Sequence, residues 1–363
     1  MKKLALIVAL CLLLTGCMSW MDGAAYSVEP HQEGPKKPEQ SFPAVSTYAE
    51  LLRVMETLVE QGAQTGLLSV ERYSGNLLES GLKRAISYIM RSHPIGAYAV
   101  TDITYEVGSV GGRKALALTL SYSRSPEEIQ AVRPAANMNE AAKLLYEALE
   151  DCETSLVLRI EQFRDVDFTQ LIEDYAMESP ATVMEIPTLT VTCFPETGVR
   201  RVVDLRLNYQ TNRENLRNMQ RYVQPIFTSA SLYVSSEEEA AELRYERLYS
   251  FLLERNEYKL ETSLTPTYSL LRHGVGDSKA FAVVYSAMCR RSGLDCMVVS
   301  GTRQGESRFW NIVNIDDVWY HVDLLAPGTF RCFSDEEMVG YVWDYSAYPE
   351  CGAEEALQET TGT

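Results

Sequence analysis

The sequence predicts an α+β fold, in which duplicated β-β-α-β units are followed by a helix packed on an antiparallel sheet. Two observations indicate this class. Strands and helices recur in the same order along the N-terminal half, and an amphipathic helix in the C-terminal third precedes three strands. The chain has 363 residues, which is enough for about two or three domains with sizeable cores.

The chain begins with an export signal, in which Lys2 and Lys3 precede a short apolar run at 4–14. The run has 11 residues, whereas a membrane-spanning helix needs about 20. It ends in Leu14-Thr15-Gly16-Cys17, which resembles the lipobox of bacterial lipoproteins. The resemblance implies cleavage of a signal peptide at 1–16 and acylation of Cys17, with palmitate as one acyl group. We therefore expect a lipoprotein anchored to the cell membrane on its extracytoplasmic face, and an ordinary secretory signal is the alternative.

Composition beyond the signal limits the partners of the chain. The full chain has a formal net charge of −17, and no basic stripe with interleaved aromatic residues occurs, so nucleic acid is excluded as a partner. Residues 17–45 are rich in Gly, Pro, Glu, Gln and Lys, which predicts a flexible tether. The last residues, 352–363, are expected to be a disordered tail.

Cysteine usage fits export but fixes no disulfide. Cys11 leaves with the signal peptide and Cys17 carries the lipid, and the others are Cys152, Cys193, Cys289, Cys296, Cys332 and Cys351. The sequence cannot choose among their pairings. Cys289 and Cys296 are interpreted as core thiols. No CxxC or Cys/His cluster suggests a metal site, so we expect neither a metal nor a cofactor.

Two N-terminal units, 46–165 and 166–235, are predicted to share one order of elements. The first has helices at 46–62 and 76–90, strands at 100–107 and 115–122, helices at 126–132 and 138–149, and a strand at 155–160. The second has strands at 189–194 and 202–209, a helix at 213–222 and a strand at 230–234. Five residues recur 87 positions later: Leu118, Leu120, Tyr122, Glu127 and Ile129 as Leu205, Leu207, Tyr209, Glu214 and Leu216. We interpret this as an internal duplication, with chance recurrence of a common strand pattern as the alternative.

The segment 236–351 carries the most informative motifs. After a helix that starts near Ser235, a second helix places Phe281, Val284 and Met288 on one face and ends at Gly293. A buried strand at 294–301 follows, and strands at 309–315 and 318–324 are joined by a tight turn at 316–317.

Several short motifs in this segment resemble those of the transglutaminase-like superfamily, whose fold is shared with papain-type cysteine proteases. They are Gly274-Val275, Ala280, Arg290-x-x-Gly293-Leu294-x-Cys296, Val298-Val299-Ser300-Gly301, Trp310-Asn311-Ile312-Val313 and Trp319-Tyr320-His321-Val322-Asp323. The resemblance covers about 100 residues and implies a papain-like domain.

Members of this superfamily carry G-V-C-[EQ]-[GS]-Y-A, H-A-W-N and W-Y-x-V-D, with Cys as nucleophile, His as its base and Asp to orient the His. In the same register, the nucleophile position falls on Gly276, the base on Arg308 and the orienting carboxylate on Asp323. Glycine offers no nucleophile, and a guanidinium stays protonated near neutral pH. The resemblance therefore implies a pseudoenzyme with a degenerate triad. We also predict an ion pair between Arg308 and Asp323.

A rearranged catalytic site is the alternative. Ser278 lies near the helix start, and His321 shares a strand face with Asp323, so these three side chains are candidate catalytic residues. The simpler interpretation is that Ser278 and Asp277 cap the helix and His321 packs. Two further expectations concern nearby residues. The aromatic residues at 341–348 either pack under the sheet or form a platform for carbohydrate, and Arg272-His273 is interpreted as solvated surface.

Three functions stay open. The preferred one is a non-catalytic binding or scaffolding protein of the cell envelope, whose partner is an envelope protein, a peptide or a cell-wall ligand. The second is an envelope hydrolase or peptidase that uses Ser278, His321 and Asp323. The third is a structural lipoprotein whose duplicated units carry the interaction. An open groove at Gly276 and Arg308 favours the first, and a nucleophile within hydrogen-bond reach of a base favours the second.

Overall fold

The computed structural model describes residues 42–234, 239–260 and 263–352. Cys17, the predicted signal peptide, the predicted tether up to residue 41, the helix start at Ser235 and the predicted tail from residue 353 lie outside the described residues. Within the described ranges, no helix has both the length and the apolar character that crossing a membrane requires. The described residues from Pro43 onward belong to one compact unit.

The N-terminal elements are three helices and a three-stranded antiparallel sheet. They are α1 (Tyr48–Glu60), β1 (Thr65–Ser69), α2 (Gly75–Arg91), α3 (Pro94–Ala99), β2 (Val100–Val110) and β3 (Arg113–Tyr122), with strand order β1-β3-β2. Met55, Leu82 and Leu118 are buried in their common core. The short helix α4 (Pro126–Gln130) follows.

The second sheet mixes parallel and antiparallel pairing. Strands β4 (Arg133–Asn137) and β5 (Ser155–Gln162) are parallel and are connected by α5 (Met138–Glu150). After α6 (Phe168–Glu178), strands β6 (Thr188–Phe194) and β7 (Arg201–Asn208) complete the order β4-β5-β7-β6. Leu145, Leu158 and Leu205 lie in the core beneath this sheet.

The predicted strand at 230–234 is wrong, because these residues end the long helix α7 (Arg213–Tyr233) and its cap. The buried residues Val223, Phe227, Ala230 and Val234 follow the spacing of one helix face. The second unit therefore lacks its last strand. In addition, β5 pairs with β7 and not with the β2–β3 hairpin of its own predicted unit. The duplication is not confirmed, and the domain boundaries stay predictions.

The C-terminal part contains a helix next to an antiparallel sheet, as predicted. Helix α8 (Ala241–Leu253) is followed by β8 (Glu257–Tyr258), α9 (Pro266–Tyr268) with a π-helical turn (Ser269–His273), β9 (Val275–Gly276) and α10 (Ser278–Arg291). The sheet consists of β10 (Cys296–Arg303), β11 (Glu306–Ile315), β12 (Val318–Val322) and β13 (Tyr341–Trp343), in the order β12-β11-β10-β13.

The two faces of this sheet have different cores. Phe281 and Val284 of α10 share a core with Val313 of β11. Trp310 and Trp343 belong to the second core. Trp343 is 8% exposed and Tyr345 is 60% exposed, so the predicted packing of the aromatic segment is confirmed for the tryptophan. Strand β13, which the sequence does not predict, brings this segment to the sheet.

Candidate functional site

Gly276 occupies the last position of β9, directly before α10, and it is buried. A Cβ atom at this position would lie 3.1 Å from Ala280 Cβ and 3.1 Å from Leu270 Cδ1. Both distances are shorter than the usual optimum for carbon contacts, so a larger side chain requires these neighbours to shift. The position that the resemblance aligns with the nucleophile is therefore tightly enclosed.

Asp277 caps the start of α10, as predicted. Its carboxylate accepts a hydrogen bond from the Ala280 backbone N–H at 2.8 Å. Ser278 does not act as the cap. It is 8% exposed, and its Oγ accepts a hydrogen bond from the Phe309 N–H at 3.2 Å. This contact joins the first residue of the helix to β11.

The predicted ion pair between Arg308 and Asp323 is confirmed. Arg308 donates to both carboxylate oxygens, with Nη2 at 2.9 Å from Oδ1 and 2.8 Å from Oδ2, and Nε at 3.1 Å from Oδ2. The side chains are 11% and 1% exposed, respectively. A fork of donors on a planar carboxylate in such a buried place is a strong, oriented contact.

Two further groups donate hydrogen bonds to the Asp323 carboxylate. The Tyr341 hydroxyl donates to Oδ2 at 2.6 Å, and the Leu325 N–H donates to Oδ1 at 2.9 Å. Burial of Tyr341, followed by its hydrogen bond to Asp323 and then by the charge of Asp323, raises the pKa of this tyrosine. The tyrosine therefore stays a neutral donor near neutral pH. The carboxylate has a full set of partners before any ligand arrives.

His321 is fully buried, and both of its ring nitrogens have partners. The indole N–H of Trp310 donates to Nδ1 at 2.9 Å, and Nε2 lies 2.8 Å from Asp335 Oδ1. Because an indole can only donate, Nδ1 must be unprotonated and Nε2 must carry the proton that Asp335 accepts. Burial lowers the pKa of His321, with a smaller opposing effect of Asp335, and the ring is therefore neutral at pH 7.

The structure gives the three alternative catalytic residues separate partners. Ser278 contacts the β11 backbone, His321 contacts Trp310 and Asp335, and Asp323 contacts Arg308 and Tyr341. Across the described ranges, no hydrogen bond links Ser278 with His321 or His321 with Asp323. A serine with such partners has no base to remove its proton.

One group in the described part of the chain has the composition of a metal site. The ligand atoms of His321, Asp335 and Cys351 lie within 4.8 Å of one another. A metal on Nε2 would require a proton on Nδ1, where Trp310 already presents its own N–H. Burial raises the pKa of the Cys351 thiol to about 12, which disfavours a thiolate ligand. The arrangement therefore suits a structural hydrogen-bonded cluster better than a metal ion. The sequence offers no local signal for it, since Asp335 and Cys351 are distant from His321 along the chain.

A cavity of about 350 Å³ opens beside Gly276. One wall comes from α9, β9 and α10, and includes Asp277, Lys279 and Val283. The opposite wall comes from the end of α6 and the segment after it, with Met177 and Met184. This second wall is not predicted, because nothing in the sequence relates residues 176–186 to the transglutaminase-like motifs. Arg308 does not line the cavity, so the described residues do not form the open groove at both Gly276 and Arg308 that the sequence prediction associates with a binding function.

The six described cysteines are free thiols. Cys289 is 0% exposed and Cys296 is 4% exposed, which confirms the prediction that both are core residues. Burial, followed by contact with Cys296, raises the pKa of Cys289. A buried, protonated thiol is a poor nucleophile.

Comparisons with known proteins bear on the C-terminal part. Residues 229–324 match the family described as "Transglutaminase-like superfamily". The chain is also similar to three solved structures. The first is a TGase, with 9% identity and a TM-score of 0.27 over 55% of this chain and 60% of that chain. The second is a proposed protease from Parabacteroides distasonis, with 8% identity and a TM-score of 0.24 over 63% and 36%.

The third is a proposed cysteine protease from Cytophaga hutchinsonii, with 12% identity and a TM-score of 0.26 over 43% of this chain and 70% of that chain. This chain thus spans less than two thirds of the length of the first two structures. No curated protein matches the sequence. The family match, together with the helix and antiparallel sheet that the motifs predict, leads to one conclusion: residues 229–324 form a domain of the transglutaminase-like superfamily.

Proposed function

We propose that this chain is a non-catalytic binding protein of the cell envelope, held at the membrane by a lipid on Cys17. The observation that carries the proposal is the buried pair of Arg308 and Asp323. A cation bonded to both oxygens of Asp323 stands where the resemblance places the catalytic base. Thiol chemistry needs a nucleophile, a base and an oriented proton path, and neither Gly276 nor Arg308 supplies one.

The hydrogen bonds around His321 also support a non-catalytic role. A general base must keep one ring nitrogen free to accept the proton of the nucleophile. In His321, Nδ1 already accepts a hydrogen bond from the Trp310 indole N–H, and Nε2 donates its proton to Asp335. His321 can act as a base only after Trp310 moves, which would leave a buried indole N–H without a partner.

The cavity beside Gly276 supports binding in place of catalysis. Most of its lining is apolar, and its volume of about 350 Å³ lies within the range of small-ligand pockets. Ile186 and Leu264 line it and are 42% and 52% exposed, so its apolar lining continues to the surface. We propose that it receives an apolar group, such as an aliphatic or aromatic side chain of a peptide.

Labelling with a fluorophosphonate probe, which reacts with activated serines, tests the absence of catalysis. We expect no labelling of Ser278 in the full chain, and the same result for Ser278→Ala and His321→Ala. Labelling of Ser278 that disappears in His321→Ala would establish the hydrolase alternative and refute the proposal.

Binding of 8-anilinonaphthalene-1-sulfonate, a fluorescent apolar probe, tests the cavity. Ala176 lines the cavity and is 9% exposed, so Ala176→Leu adds bulk on the wall that α6 contributes. We expect this variant to bind the probe about tenfold more weakly, equivalent to about 1.4 kcal/mol. Ala131→Leu makes the same change at an exposed position outside the cavity and should bind like the unmodified chain. Equal binding by both variants would show that the probe does not use this cavity.

A further inference from the structure

A second cavity, of about 390 Å³, lies in the C-terminal part of the chain and is not lined by Gly276. Its lining combines aromatic rings and cations: Tyr222 from α7, Phe251 from α8, Arg255 after α8, and Arg272 and His273 from the π-helical turn. Three different elements thus bring basic or aromatic side chains to one place. Arg272 and His273 are exposed, as the sequence predicts, and they also line this cavity.

The charge of this cavity contrasts with that of the chain. The formal net charge is −17, yet no acidic residue lines the described part of the cavity, while three basic residues do. Other arginines pair with carboxylates, for example Arg217 with Asp151 and Arg133 with Glu153. Among the described residues, no carboxylate lies within ion-pair distance of Arg255 or Arg272. Their charges are therefore available to an anion from solution.

Arg255 and Arg272 are exposed, and an aromatic ring contacts the guanidinium group of each. The Arg272 Cζ lies 4.9 Å from the Tyr222 ring centroid, and its Nη1 donates to the Tyr222 hydroxyl at 3.3 Å. The Arg255 Cζ lies 5.0 Å from the Phe251 ring centroid. Contact of this kind orients a guanidinium without neutralising it.

We infer that this cavity, defined by Tyr222, Phe251, Arg255, Arg272 and His273, is a binding site for a phosphate ester. Both guanidinium groups line this cavity, and guanidinium groups bind phosphate through charged, forked hydrogen bonds; a phosphate monoester also carries more negative charge than a carboxylate. The volume exceeds that of a bare ion, and the rings of Tyr222 and Phe251 provide surface for the organic part of the ligand. This inference is independent of the cavity beside Gly276.

Isothermal titration calorimetry of the full chain with sn-glycerol 3-phosphate and with inorganic phosphate tests the site. We expect saturable binding of glycerol phosphate, and a loss of at least about tenfold in affinity for Arg255→Gln/Arg272→Gln, because each guanidinium supplies charged hydrogen bonds. Arg84→Gln is the matched control, since Arg84 is exposed and lies over the Tyr48 ring at 3.6 Å in the N-terminal part. Its affinity should equal that of the unmodified chain.

The competing outcomes are distinct. Absence of saturable binding, or an equal loss in the double variant and in Arg84→Gln, overturns the inference. Tighter binding of glycerol phosphate than of inorganic phosphate supports a site for the whole ester. Equal affinities overturn the role assigned to the aromatic walls, because the site would then recognise the phosphate group alone and not the organic part of the ester. Thermal unfolding of each variant verifies that the fold is intact.

Discussion

Asp323 accepts hydrogen bonds from Arg308, Tyr341 and the Leu325 backbone. A buried carboxylate is costly unless it is paired and hydrogen-bonded, and removal of one partner of a buried pair leaves an uncompensated charge. The stability of the whole C-terminal part should therefore depend on Arg308. At the level of single residues, this is the feature with the clearest energetic consequence.

Replacement of Arg308 by Met should destabilise the fold by about 3 to 5 kcal/mol, because Asp323 is then buried without its cation. Arg308→Lys keeps the charge but loses the paired geometry, and its cost should be intermediate. Urea unfolding, with the free energy of unfolding as readout, measures both. Arg217→Met, at a pair that is 43% and 57% exposed, is the control and should cost less than about 1 kcal/mol. Equal costs at the two sites would contradict the energetic role of the buried pair.

His93 should make the fold sensitive to acid. Its Nδ1 accepts the Gly96 N–H at 3.1 Å and so caps α3. Burial, with smaller effects of Arg200 and Arg159, lowers its pKa to about 4. As the pH falls below about 6.5, the unfolded chain binds a proton at this residue and the folded chain does not, so stability declines until the pH reaches the folded-state pKa.

The variant His93→Asn tests this pH dependence, because asparagine can keep the cap but does not titrate. Between pH 7 and pH 4, the free energy of unfolding of the variant should fall by about 3 kcal/mol less than that of the unmodified chain. The same decline in both proteins would assign the acid sensitivity to other groups.

Among the site residues, the sequence predicts the contacts that depend on a motif and misses those that depend on packing. The register of Trp310 and Trp319 places Arg308 opposite Asp323, and the structure has this pair. Asp335 lies on irregular chain after the last motif strand, and Tyr341 begins the short strand β13, where neither periodicity nor spacing indicates a partner. Their roles are determined by how the segment after β12 returns to the sheet.

At the scale of elements, α7 shows why one strand prediction fails. At the end of α7, the apolar residues Ala230, Leu232 and Val234 occupy every second position. Such a short stretch fits both a strand and a buried helix. The longer window resolves the ambiguity, because the buried residues of α7 continue at helical spacing from Leu216 to Ala230. By contrast, the hairpin of β11 and β12 is predicted correctly, since Asp316 and Asp317 adopt the positive φ values, 52° and 67°, that a tight two-residue turn requires.

The cap of α10 gives a prediction at this scale. Asp277→Ala leaves the Ala280 N–H without its acceptor and should cost about 1 kcal/mol in the free energy of unfolding, whereas Asp277→Asn should cost much less because an amide oxygen can still accept. Thermal or urea unfolding measures the difference. A cost for Asp277→Asn that equals the cost for Asp277→Ala would indicate that charge, and not capping, matters at this helix start.

At the scale of the whole molecule, the described residues form several cores beneath different sheets. The α+β class and most helices and strands follow from apolar periodicity and turn residues. The order of strands in the sheets does not, because it depends on contacts between residues distant in sequence. This is why β5 pairs with β7 and why α6 contributes to a cavity at α10.

The lipid anchor is a prediction for the whole chain. In a bacterial host, Cys17→Ala should move the protein from the membrane fraction to the soluble fraction, because acylation requires the Cys17 sulfur. Cys11→Ala removes a cysteine from the same leader and should leave the protein in the membrane fraction. Fractionation and mass spectrometry of the mature N-terminus provide the readout. An unchanged membrane fraction for Cys17→Ala would contradict anchoring at this residue.

The close neighbours of Gly276 and the hydrogen bonds of Arg308 to Asp323 have a consequence for evolution. A cysteine gained at position 276 would press against Ala280 and Leu270 and would find no base. A histidine gained at position 308 would leave Asp323 with a smaller and weaker cation. Each single step is unfavourable, and only their combination could create the cysteine and histidine that thiol chemistry needs. Under the proposed non-catalytic function, a lineage with this domain should diversify its cavities and surfaces more readily than it acquires acyl-transfer activity.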